Sequence, residues 1–481
     1  MVTRRQLVKS SAALAFIGLA QSTLGKTPGK STLSKTQALD AKGPPLRSVQ
    51  GYGSLIADPN KLLDLPAGFQ YDVISQLGDK MDDGLTVPNR ADGMGCFALD
   101  EHRVALVRNH ELDPSHFSKI SKDWQTFTSE HAFDSFQHRS QSDSESHQRV
   151  ALPGGTTTIV YNTKDQKREK EFVSLTGTIR NCSGGVTPWG SWLTCEESVE
   201  TSKTTKGKIG KSHGYVFEVP ADASGPVKPV PLKAMGRFNH EAVVVDPRTG
   251  IAYLTEDRND SLLYRFIPKE NGKLSLGGQL QALVIKNTPQ FDTRNWSVVK
   301  MAVSQWYETE WVDLSNPESP EDDLRLRGYQ KGAAVFARGE GIHWADDELY
   351  FCCTSGGKKK LGQIMRYRPS KYEGSNNEAK GPGQLQLFLE STDPSLYNFG
   401  DNLTVTPQNH LLVCEDQYTD VVDNYLRGVT PSGEVYAFAR LHEQTELAGA
   451  CFSPDGSTLF VNVYSPAKTL AIRGPWEKFM V

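Results

Sequence analysis

Two adjacent carboxylates, Glu196 and Glu197, close the stretch TPWGSWLTCEES at residues 187–198. Trp189, Trp192 and Leu193 account for a strand, and Thr187-Pro188 for the bend before it. Folding has no use for a Glu-Glu pair beside Cys195, because neighbouring like charges repel and burial penalises both. Similar acids recur in Asn109-His110-Glu111, His240-Glu241, Glu256-Asp257, Glu340 and Glu415-Asp416. Gathered in one place, they make a charge density that only bound cations make tolerable. Hard oxygen ligands favour Ca²⁺, Mg²⁺ or Fe³⁺, whereas a thiolate such as Cys182 or Cys195 favours a transition metal. One such acid alone is ordinarily a solvated turn residue; matching positions in several repeats argue against that here. Since side chains alternate along a strand, only one of Glu196 and Glu197 is expected to face the site.

Arg338-Gly339-Glu340 adds a different element. An arginine two residues from a carboxylate on an extended segment points to the same side, so Arg338 could hold an anion beside a cation bound by Glu340. Cations plus an anion clamp are the parts needed for phosphoryl transfer. Arg237, ahead of His240 and Glu241, could act likewise or form a surface ion pair. The lysine groups Lys206, Lys208, Lys211 and Lys358 to Lys360 read as solvated loops, and Gly154-Gly155 and Gly356-Gly357 lack the strand-to-helix context of a nucleotide loop.

The elements that must position these groups repeat six times, at 92–111, 182–197, 240–257, 339–357, 401–416 and 447–465. Each unit runs through a short apolar strand, turns at an Asp, Pro, Asn or Gly cluster and climbs a second strand, which in four units ends on acids. A third strand follows closely in several, as at Ser261 to Phe266. Repeated antiparallel meanders with scarce amphipathic helices predict an all-β, six-bladed β-propeller, with inter-blade insertions at about 113–150 and 269–330. In such a fold the innermost strands line a channel, and sequence-distant acids converge at its mouth.

The ends and composition set the context. Arg4-Arg5 precedes the apolar run Ala12 to Ala20, too short to span a bilayer but suited to a signal segment; residues 1–25 read as a twin-arginine signal peptide, with an ordinary secretory leader as the alternative. Residues 26–48 read as a flexible lead-in and 49–481 as one propeller domain. Losing Arg4, Arg5 and Lys9, with no acid among residues 1–25, moves the formal charge from -4 to -7, which argues against a nucleic-acid partner. With no second long apolar segment, no integral membrane span is expected after cleavage, and the mature chain is expected to be a monomer. Seven cysteines, with Cys352-Cys353 adjacent, leave at least one thiol unpaired, either buried and free or bound to metal.

Together, TRRQLVK, NCSGGVTPWGSWLTCEE, RFNHEAVVVDPRTGIAYLTED, RGEGIHW, DNL followed by VCED, and FSPDGSTLFVNVYSP with GPW resemble the PhoX family of exported bacterial alkaline phosphatases, over residues 51–478. The resemblance implies a six-bladed propeller with an iron and calcium cluster (Fe³⁺, Ca²⁺) that hydrolyses small phosphate monoesters for phosphate acquisition, in the periplasm or secreted after passage through the twin-arginine machinery. It implies Cys182 as an iron-ligating thiolate, Glu241 and Asp416 as further cluster ligands, Glu197 and Glu340 as calcium-side carboxylates, and Arg338 and Asn109 as contacts to the phosphate. The chain departs from the family in looking shorter and in its histidine-rich 113–150 segment.

Two other classes compete. A metal-stabilised propeller can bind a partner without catalysis, but a structural cation site has no need of an anion clamp. A phosphodiesterase or lactonase-type propeller hydrolase would also use channel carboxylates; a lactonase needs neither Cys182 nor Arg338.

Overall fold

A computed structural model describes residues 46–480 apart from 120, 127–129, 140–146 and 418–422; the signal peptide and residues 26–45 of the lead-in lie outside the described residues. Every sequence unit forms an antiparallel hairpin. The pairs are Ala91–Ala98 with Arg103–His110, Asn181–Val186 with Ser191–Glu196, His240–Val245 with Ala252–Glu256, Gly339–Ala345 with Glu348–Cys353, Gly400–Val405 with Leu411–Glu415, and Leu447–Phe452 with Thr458–Val463. The first strand of each hairpin packs beside the first strand of the next, and that of the last packs beside that of the first. The chain is therefore all-β and propeller-like, and its described α-helices are the short Lys122–Thr126 and Leu324–Gln330.

Apolar cores lie between neighbouring units, as the alternating strand pattern requires. Phe97 and Val107 meet Trp192 and Phe217; Leu193 and Val216 meet Val243 and Leu254; Tyr253 meets Phe351 and Met365; Ile364 meets Leu403; Leu412 meets Leu459; and Met94 meets Phe460. Each such large side chain taken out of water contributes ~1.5–3 kcal/mol, so the circuit of packing, more than any one sheet, holds the molecule together.

The expected insertions are structured. Residues 269–330 supply Gly278–Ile285 and Trp306–Asp313, which bridge two units into one nine-stranded sheet, so the units do not each own a separate sheet. The 113–150 segment carries the Ser135–Arg139 and His147–Ala151 hairpin, and Asp134 at its base accepts from the amides of Gly210 and Lys211. The N-terminal strand Gln70–Gln76 pairs with Lys468–Arg473, covering what would be an open sheet edge. That seam is pinned by Arg108, fully buried, which donates to Glu171 at 2.8 Å, Ser75 at 3.0 Å and Thr469 at 2.6 Å.

One local feature repeats. The inner-strand pairing slips just after Ala91, Asn181, His240, Gly339 and Gly400, leaving two residues opposite one; in the sixth unit the slip follows Ala448. A bulge of this kind re-aims the side chain it carries. The first bulged residues in the five matching units are Asp92, Cys182, Glu241, Glu340 and Asp401.

Candidate metal centre and anion clamp

Those bulged side chains converge. Cys182, Glu197 and Glu241 present ligand atoms within 4.8 Å of one another, as do Glu241, Glu340 and Asp401, and Asp401, Asp416 and Glu446; all seven residues are buried. Glu241 and Asp401 belong to two groups each, so the three form a continuous array drawn from four of the six units and from Glu446, the residue just before the sixth. Close backbone approach makes this possible. A side chain on Gly93 would meet Ser183 Cα at 2.6 Å, and one on Gly341 would meet Asn402 Cα at 2.7 Å, so glycine follows the ligand where neighbouring strands touch.

A second repeated relationship sets the rim. The residue just before each inner strand accepts, through its carbonyl, the amide of the residue just after the same unit's second strand: Arg90 from Glu111, Arg180 from Glu197, Asn239 from Asp257, Arg338 from Thr354, Phe399 from Asp416 and Glu446 from Tyr464, all at 2.9–3.2 Å. In the acidic pairs the second member faces the centre and the first faces away. Glu196 accepts from His213 and from the amides of Ile179, Gly214 and Tyr215; Glu415 accepts from Arg427 and the amides of Asn398 and Tyr425; Glu256 accepts from Tyr264. His240 likewise turns to the core, stacked on Phe238, where burial depresses it to about 3.

Burial together with the charges of Asp401, Glu197 and Asp92 holds the Glu241 carboxyl well above the usual range, and burial with Asp257, Asp401 and Glu241 does the same to Glu340. Burial, Glu241 and Glu197 push the Cys182 thiol up. Glu241 Oε2 is buried without a hydrogen-bond partner. An orphaned carboxylate oxygen among six other buried ligand groups fits a bound cation, which supplies the missing partner and the missing positive charge. The Cys182 group adds sulfur to its oxygens and suits a transition metal; the other two groups are all oxygen and suit a hard cation.

Arg338 lies over this array. Its Nε and Nη2 bind Asp257 at 2.6 and 2.8 Å, and Nη2 reaches Glu340 Oε1 at 2.9 Å. Asn109, expected beside the phosphate, is fully buried. Its Nδ2 donates to the carbonyls of Cys182 at 3.1 Å and Ser183 at 2.8 Å, and its Oδ1 accepts from Trp192, so it fixes the neighbouring bulge. Among the described residues Arg237 makes no ion pair; it donates to the carbonyls of Val199, His213, Glu318, Ser319 and Pro320 and so anchors the acidic 316–323 stretch. All seven cysteines are free, and Cys195, Cys352 and Cys414 are the buried residues opposite three of the bulges.

The structure thus groups Cys182, Glu197, Glu241, Glu340 and Asp416 in one array, with Glu197 beside Cys182 and Asp416 beside Asp401 and Glu446, a different grouping from the one the resemblance implied. Sequence reasoning missed Asp401 and Glu446. Asp92, Cys182 and Asp401 each open a repeat unit, a signal that could have found Asp401; Glu446 carries none.

Fold and site define a propeller-like all-β protein with a buried array of one thiol and six carboxylates, with Arg338 paired to Glu340 at its edge. The chain belongs to the alkaline phosphatase PhoX family, whose pattern it matches over residues 50–467, and it is on that footing a phosphoric monoester hydrolase. It is similar in structure to Pseudomonas fluorescens PhoX in complex with vanadate, a transition state analogue, at 17% identity and a TM-score of 0.61, covering 89% of this chain and 98% of that one. Similarity to the gluconolactonase XC5397 of Xanthomonas campestris is weaker, at 11% identity and a TM-score of 0.36 over 84% of this chain and 98% of that one. No curated protein matches the sequence. Among the described residues no helix is long and apolar enough to cross a membrane.

Proposed function

We propose that the protein is an exported alkaline phosphatase that hydrolyses small phosphate monoesters for phosphate acquisition, using an iron-calcium cluster at the mouth of a six-bladed propeller. The observation that carries this reading is Arg338 beside seven buried candidate ligands, six from four units and Glu446 just before the sixth. The closed circuit of six inner strands supports six blades, and the sulfur-containing and all-oxygen groups support Fe³⁺ at Cys182, Glu197 and Glu241 and Ca²⁺ along Glu340, Asp401, Asp416 and Glu446. The paired arginines Arg4 and Arg5 support twin-arginine export to the periplasm or medium.

When bound, the cations would supply Lewis-acid activation of the phosphoryl group and neutralise its charge. The chain's own groups do the rest. The Arg338 guanidinium, held by Asp257 and Glu340, is positioned to donate hydrogen bonds to phosphate oxygens without reorganising. Asn109 and Thr255 lock the backbone that carries two ligands, Asn109 through the Cys182 carbonyl and Thr255 Oγ1 by donating to the Glu340 carbonyl at 2.6 Å. Hydrolysis replaces the ester P–O bond with one to water oxygen, releasing the alcohol and inorganic phosphate.

A panel of p-nitrophenyl phosphate, bis-p-nitrophenyl phosphate and a sugar lactone tests the assignment. The monoester should be turned over by far the fastest; faster turnover of diester or lactone would replace this reading.

A further inference from the structure

Arg338 has two counterparts. Arg90, Arg180 and Arg338 all stand two residues before the first bulged residue of an inner strand, and all three adopt left-handed backbone, with φ of 58°, 49° and 55°. Phe399 does so too at φ 50°, so the turn geometry belongs to the fold, but three of the four places that require it carry arginine rather than the glycine that would fit without cost. Each guanidinium bridges two acids, or an acid and a phenol, of adjoining units. Arg338 joins Asp257 to Glu340, Arg180 joins Glu111 at 2.8 Å to Glu197, and Arg90 joins Tyr464 to Glu111 at 3.7 Å. Tyr464 in turn donates to Glu111, so Arg90 and Arg180 form one connected group.

Their layering is consistent. The side chains of Arg90, Arg180 and Arg338 are 26%, 24% and 17% exposed, whereas those of Glu111, Glu197 and Glu340 beneath them are 3%, 5% and 1% exposed. The arginines are the outer layer, the first charges an approaching anion meets. In the circuit of units they fall on two sides, Arg90 and Arg180 on the first and second and Arg338 on the fourth.

We propose that Arg90 and Arg180 are a second anion clamp facing Arg338 across the array, and that they select phosphate monoesters carrying a second anionic group such as a carboxylate or another phosphate. This rests on the phosphatase reading above. With the phosphoryl group held at Arg338, the far end of a small ester extends toward the Arg90 and Arg180 side, where a second negative charge gains charge-assisted hydrogen bonds and a neutral end does not.

Glycerol 2-phosphate and 2-phosphoglycerate share a frame and differ by a carboxylate in place of a hydroxymethyl group, so their kcat/KM ratio reads the clamp. The natural protein should favour 2-phosphoglycerate by about tenfold. Arg90→Gly and Arg180→Gly, which remove the guanidinium while relieving the left-handed backbone, should bring the ratio to within about twofold through KM, and Arg90→Lys should restore part of it. Metal content and unfolding temperature measured on the same samples separate loss of the clamp from loss of the site. A ratio unchanged in both glycine variants with metal intact would overturn the proposal. If the natural protein hydrolyses neither ester, the phosphatase reading fails separately, and the clamp is read by titrating metal-loaded protein with inorganic phosphate and diphosphate. Diphosphate should bind about tenfold tighter, with that advantage lost in Arg90→Gly; equal binding would overturn the clamp.

Discussion

Arg338 Nη2 lies 2.9 Å from Oε1 of Glu340, two residues along the same chain, and the same guanidinium is held by Asp257 from the preceding unit. A charge fixed this way costs little reorganisation when it meets a developing negative charge. Arg338→Ala should lower kcat/KM for p-nitrophenyl phosphate by about 10²–10³-fold, the range seen when one pre-positioned donor is lost. Arg338→Lys, a point charge without the planar fork, should recover only part. Steady-state kinetics on variants of unchanged metal content checks both.

Asn109 separates positioning from substrate contact. Its amide satisfies two buried carbonyls and one indole, so Asn109→Ala should cost about 2–4 kcal/mol of stability, roughly 1–3 kcal/mol for each buried group left unpaired with some relief by relaxation. Because one of those carbonyls belongs to Cys182, metal affinity should fall with it. Denaturant unfolding alongside elemental analysis tests this; a pure KM effect with full stability would instead place Asn109 against the substrate.

Buried charge at the ring's seam gives a stability prediction far from the site. Glu171→Ala leaves Arg108 fully buried without its carboxylate and should cost about 3–5 kcal/mol. Glu171→Gln should cost less, since Ser75, Thr469 and Thr157 still accept from Arg108.

Proton linkage predicts opposite pH behaviour with and without cations. Burial raises Glu256 and Glu415 to about 7, Glu241 and Glu340 stand well above the usual range, and His213, though burial acts to lower it, is raised to about 9 by Glu196 and Asp134. Each group has a folded pKa above its unfolded one, so the folded state binds more protons and loses stability as pH rises toward that folded pKa. Metal-free protein should therefore unfold at progressively lower temperature from about pH 4.5, the ordinary glutamate value, to about pH 9. Cations bind the deprotonated ligands, so metal-loaded protein should show a flatter profile and a widening stability gap over the same range. Thermal scans with and without chelator measure it.

Much of this was legible in the sequence, and the limits have physical causes. Hairpins, repeat units and a convergence of acids follow from strand patterning and from acids at matching places, while the particular set Cys182, Glu197, Glu241, Glu340 and Asp416 comes from the family resemblance. What alternation cannot reveal is a bulge, because a slip of one residue swaps which side chain faces the centre. That slip turns Glu241 to the array while His240 stacks in the core, and it brings in Asp401. Asn109 and Arg237 were ambiguous because their partners are backbone carbonyls, which no residue pattern displays. Glu446 reaches the array from a rim position that other units give to arginine, asparagine or phenylalanine.

The central claim is that the array around Glu241 is a metal cage serving phosphate-ester hydrolysis. Its most direct test is elemental analysis of protein purified after native export, paired with p-nitrophenyl phosphate turnover before and after chelation and in Cys182→Ala. The account predicts stoichiometric iron with calcium, activity lost on chelation and restored by calcium, and loss of iron with its thiolate-to-iron colour in a folded Cys182→Ala protein. Turnover that survives complete metal removal, or iron and colour retained in Cys182→Ala, would contradict it.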